Sequence, residues 1–120
     1  MATPPVSNLP TAPSIPLTPE VRAAYQDLYN KIQAQLDSTM DLAVIQALNP
    51  QLAAVDLVLT KDDLYKLNAN TAALNALQKQ ISNTNQSLDK LHAEITSIAS
   101  HFQRAADILA AIEKVRSLVP

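Results

Sequence analysis

Apolar side chains return every seven residues through the C-terminal half of the chain. Leu67, Leu74, Ile81, Leu88, Ile95, Phe102 and Leu109 form one series, and Asn70, Leu77, Thr84, Leu91, Ile98, Ala105 and Ile112 follow three residues behind. Twelve of these fourteen positions are apolar, where a chain-wide 48% would place about seven. Of the twelve apolar residues larger than alanine between 67 and 112, eleven lie on this seam and Ile108 is the exception. A 3.5-residue period is the mark of helices that wind around one another. A straight helix drifts by ~20° per heptad against that period, so a register held this long predicts a left-handed supercoil about a partner.

Upstream, a second helix is announced by its start. Thr18 is a suitable N-cap, Pro19 fits the first helical position and Glu20 complements the positive end of the dipole. Val21, Tyr25, Leu28, Ile32 and Leu36 then recur at helical spacing. Beyond them the stripe broadens, and Asn49-Pro50 predicts an end, because the residue before proline is driven away from the helical region. Pro50 then opens a short helix to Leu59, and Thr60 with Asp62 and Asp63 predicts the next start. From there to Leu118 neither proline nor glycine intervenes.

The expected fold is all-α: an antiparallel helical hairpin or bundle with one long heptad-patterned C-terminal helix. Its helices fall at about 19–48, 50–59 and 61–118, within a single domain over 18–120. The alternative is a compact up-down four-helix bundle, broken by a turn near Asn83-Asn85, where Ser82-Asn83-Thr84-Asn85-Gln86-Ser87 has mediocre helix propensity. On the first reading Asn70 and Thr84 are polar seam positions that fix alignment. Residues 1–17 hold five of the eight prolines and no charge, which predicts an extended arm. Val6, Leu9, Ile15 and Leu17 are the side chains able to pin that arm to a helical surface.

Three sets of residues carry the functional expectation. The intrachain hairpin seam is Tyr25, Leu28, Ile32, Leu36, Leu67, Leu74, Leu77 and Ile81. The seam for self-association is Leu88, Leu91, Ile95, Ile98, Phe102, Ala105, Leu109 and Ile112, widened by Ala99, Ala106, Ile108 and Val115 on its flanks. An apolar tip is expected from Leu42, Val44, Ile45, Leu48, Leu52, Val55, Leu57, Val58 and Leu59. Left in water such stripes aggregate or find partners.

Composition removes several classes of function. No glycine means no phosphate-cradling loop or dinucleotide fingerprint. No cysteine means no disulfide and no thiolate zinc site. The formal net charge of -2 is spread evenly and aromatic residues make up 3%, so neither the basic face nor the stacking platform of a nucleic-acid binder is present. His92 and His101 fall on opposite flanks of the seam, which speaks against a shared metal, and the Glu-x-x-His motif of di-metal bundles is absent. No enzymatic activity, cofactor or metal is expected.

The expected function is a non-enzymatic structural or interaction module that forms a homo-oligomer through its heptad seam, with another helical protein as the second choice of partner. The alternative is a secreted effector- or translocator-like helical protein with an unstructured N-terminal export leader and an apolar tip for a membrane or a partner. The third is a monomeric bundle for a small apolar ligand. A soluble, cytoplasmic protein is the default, with secretion without a cleaved signal peptide as its alternative. A membrane is not the expected partner.

Overall fold

The computed structural model describes residues 17–118, so the expectations for residues 1–16 lie outside it. Four helices form: α1 (Pro19–Asp37), α2 (Leu42–Leu67), α3 (Thr71–Ser97) and α4 (Ala105–Leu118), with a short 3-10 turn at Ala99–His101 between the last two. No strand occurs among the described residues. The all-helical bundle is thus as expected; most of its breaks are elsewhere.

Successive helices run antiparallel, as their side-chain bonds show. Arg22 near the start of α1 reaches Leu59 and Asp62 near the end of α2. Thr84 on α3 meets Ala54 on α2, and Gln51 on α2 meets Ser87 on α3. His92 and Asp89 on α3 pair with Glu113 and Arg116 on α4. Helix α4 returns against α1, so each helix packs chiefly on two neighbours and α1 faces α3 across the diagonal.

The start of α1 is built as the sequence predicts, with Thr18 Oγ1 accepting from the Val21 N–H at 3.2 Å. The single helix expected over 19–48 is instead two. Ser38 and Thr39 end α1, and Asp41 caps α2 by accepting from the Ala43 N–H at 2.9 Å. These short polar side chains compete for backbone groups and so stop a helix without glycine or proline.

Helix α2 passes straight through the break expected at Asn49-Pro50 and the start expected at Thr60. Proline there removes only the bond to the Gln46 carbonyl, and Gln46 and Pro50 are both exposed. Val44, Leu48, Val55 and Val58 are fully buried around this point, and their packing outweighs the missing bond. Asp62, read as a start signal, serves tertiary contacts within α2.

The long helix expected over 61–118 is broken twice. Asn70, assigned to the seam, is the N-cap of α3 and accepts from the Ala73 N–H at 2.8 Å. The second break lies at 98–104. The turn considered near Asn83-Asn85 does not form, because those residues sit mid-α3 with Thr84 and Asn85 buried. The capping residues Ser38, Asn68, Ile98 and Phe102 all keep negative φ, at -108, -147, -120 and -102°. A chain without glycine can therefore turn here with no left-handed residue at these ends.

The core is one cluster. Tyr25, Leu28 and Ile32 of α1 meet Val44, Leu48, Val55 and Val58 of α2, with Leu77, Ile81, Leu88, Leu91 and Ile95 of α3 and Ile108, Ala111, Ile112 and Val115 of α4. Leu17 also belongs to it, and its N–H donates to Asp62 Oδ1 at 2.8 Å. Helix α4 thus buries Ile108 and Val115 rather than the heptad pair Ala105 and Leu109, which are half-buried.

One polar bond in the core joins helices that face each other across the bundle. Tyr25 Oη donates to Asn85 Oδ1 at 2.8 Å in the interior, joining α1 to α3. Burial pushes the Tyr25 phenol up to about 12, more than its bond to Asn85 lowers it. The folded chain thus favours the neutral phenol. That contribution is complete below pH ~10 and is lost as pH rises from ~10 through ~12, a decline on the order of 2–3 kcal/mol. Absorbance titration is expected to show a late tyrosine component that Tyr25→Phe removes. A titration unchanged by Tyr25→Phe contradicts this.

Candidate interaction surface

The predicted site residues divide sharply between core and surface. Of the expected oligomerisation seam, Leu88, Leu91, Ile95, Phe102 and Ile112 are buried and Ile98, Ala105 and Leu109 half-buried, all against the chain's own core. The closed bundle therefore covers this seam itself. Of the expected hairpin seam, Tyr25, Leu28, Ile32, Leu77 and Ile81 are buried, with Leu36 and Leu74 half-buried, but Leu67 is 82% exposed. Its neighbour across that seam was to be α1, which begins level with Asp62 and leaves the last turn of α2 uncovered.

The expected apolar tip is not a tip. Its residues run along α2 through the body of the bundle, with Val44, Leu48, Val55, Val58 and Leu59 buried and Ile45 and Leu52 half-buried. Leu42 and Leu57 remain exposed, at 64% and 43%. The outer face of α2 is mixed: Leu42, Ala53, Leu57, Leu64 and Leu67 are exposed on it, with Gln46, Asn49, Asp56, Thr60 and Asp63 exposed among them. Between Leu42 and Thr60 the helix carries one charge, Asp56.

A groove of about 340 Å³ follows the α1 edge of this face, lined by Tyr29, Asn49, Leu52, Ala53 and Asp56. It is open to solvent. Met40, in the loop before α2, is 96% exposed.

Both ends of the bundle are held by polar contacts. At one end Asp62, fully buried, accepts from Arg22 at 2.8 Å and from Lys66 at 2.7 Å, while Arg22 also reaches Asp63 at 3.1 Å. At the other, buried Gln35 Oε1 accepts from the Gln103 and Arg104 N–H groups at 3.1 and 2.8 Å, and His101 Nδ1 lies 2.6 Å from Asp41 Oδ2. The His101 bond holds the Asp41 carboxyl below its usual range. Gln35 and Asp62 gave no sequence signal as core residues, because an isolated polar residue is read as surface.

His92 meets Glu113 at 3.0 Å, and the two histidines stay apart in separate pairs. Among the described residues no group of three or more His, Asp or Glu side chains gathers as a metal site.

The described residues define an up-down four-helix bundle in which one helix leaves several leucines exposed. No protein family, curated protein or solved structure matches the chain.

Proposed function

We propose that this protein is a non-enzymatic interaction module whose docking surface is the outer face of α2. The observation that supports it is the set of large apolar side chains left exposed on that helix, Leu42, Leu57, Leu64 and Leu67, with Asp56 the one charge between Leu42 and Thr60. The partner such a set fits is another helix with exposed apolar side chains, and the α2 of a second copy is one. Pairing of like faces gives a closed two-fold dimer. Replacing Leu57 and Leu64 together with aspartate is expected to leave folding within about 0.5 kcal/mol, since both are surface positions. It should also reduce the mass seen by sedimentation equilibrium to that of a monomer. Identical masses for parent and variant across concentration would exclude this surface.

A second reading uses the same face against a lipid surface. Its support is that α2 is long and apolar enough to cross a membrane, with only 33% of its most apolar window buried in the bundle. Asp56 and the exposed Pro50 weigh against full insertion. Co-sedimentation with phosphatidylcholine vesicles decides it: pelleting abolished by the double aspartate variant favours lipid, and no pelleting removes that reading.

A further inference from the structure

We propose that the α3–α4 linker opens so that two copies of the chain exchange α4, giving a domain-swapped dimer. The inference does not rest on the outer face of α2. It rests on a conflict between the linker and its own sequence.

The linker, residues 98–104, is seven residues long, so the break spans one whole heptad and the seam passes through it in register. None of Ile98-Ala99-Ser100-His101-Phe102-Gln103-Arg104 forbids a helix. What bends the linker is side-chain contact: Gln35 holding two of its N–H groups, His101 against Asp41, and Phe102 buried in the core. Straightened, residues 71–118 form one helix of roughly 70 Å at 1.5 Å per residue.

Helix α4 also carries two apolar stripes. In the closed chain it buries Ile108, Ala111, Ile112 and Val115 and leaves Ala105 and Leu109 half-covered. The second, Ala105 and Leu109, keeps the register of the α3 seam and packs on the core only in part. A straightened helix uses both. Its heptad seam lies along the partner's antiparallel long helix, and Ile108 with Val115 dock on the partner's α1, the helix α4 leans on most in the closed chain. Every core contact of α4 is remade between chains, which is why exchange of an identical element is a low-cost route to a dimer.

The test uses the full chain carrying Leu57→Asp and Leu64→Asp, so that pairing through α2 is absent. Because the chain has no cysteine, His92→Cys with Glu113→Cys places the only two thiols on α3 and α4 at positions paired in the closed chain. After concentration, the dimer fraction from size exclusion is treated with a short bismaleimide and run on a denaturing gel. A band of twice the chain mass is expected from the dimer and a single-chain band from the monomer. Phe102→Ala, which frees the linker, should raise the dimer fraction at least tenfold. Ala105→Pro, at the first position of α4 where a proline is tolerated, interrupts a continuous helix and should reduce it to background. A dimer cross-linked only within chains overturns the proposal, as does a protein that stays monomeric at millimolar concentration both as parent and with whichever of the linker variants keeps its helical circular dichroism.

Discussion

Leu91→Asp is expected to abolish cooperative unfolding at 25 °C. Leu91 is 2% exposed and sits in the single core cluster, between Leu88 and Ile95 on the inward face of α3. The substitution removes a full leucine's burial and puts a carboxylate into the apolar core. Cavity and unpaired charge together cost about 4–5 kcal/mol or more, against a total stability on the order of 5–15 kcal/mol for a domain of this size. Urea titration followed by circular dichroism measures it. Lys90→Asp, one residue away on the exposed side, is expected to change stability by less than about 0.5 kcal/mol. A Leu91→Asp protein with a parent-like midpoint would mean that α3 does not pack as described.

Arg22→Ala is expected to cost about 2–3 kcal/mol. Asp62 is fully buried and depends on Arg22, Lys66 and the Leu17 N–H for its partners. Removing one partner of a buried pair commonly costs 3–5 kcal/mol, because the charge left behind has lost its water. Lys66 remains and Arg22 is itself 32% exposed, so the lower end applies here. The check is a double-mutant cycle with Asp62→Leu. Once the carboxylate is gone, Arg22→Ala should cost well under 1 kcal/mol. Equal costs in both backgrounds would show that Arg22 acts through its packing alone.

Much of the fold is legible in the sequence, and the reasons are local. The start of α1 carries cap, proline and acid in the positions physics asks for. The inward residues Tyr25, Leu28, Ile32, Leu77, Ile81 and Leu88 announce themselves by period. The turns do not. Ser38-Thr39 and Asn68-Ala69-Asn70 end helices with ordinary polar residues, while Pro50, the loudest local signal, is overruled by the packing around it. The break at 98–104 is hidden for a different reason: a seven-residue interruption leaves a seven-residue period in step. The α2 surface was readable as composition but not as placement. A run apolar on all sides says that something covers it, and only the positions of α1 and α3 show which side stays open. Gln35 and Asp62 are beyond reach from sequence, since their burial depends on partners 68 and 45 residues away.

The negative φ of Ser38, Asn68 and Ile98, which close α1, α2 and α3, bears on how this architecture can vary. None of these three ends depends on a conformation reserved for one amino acid, so a point change that moves one of them by a turn meets little steric resistance. Descendants of this chain should accordingly differ in where their helices stop well before they differ in what lies between them.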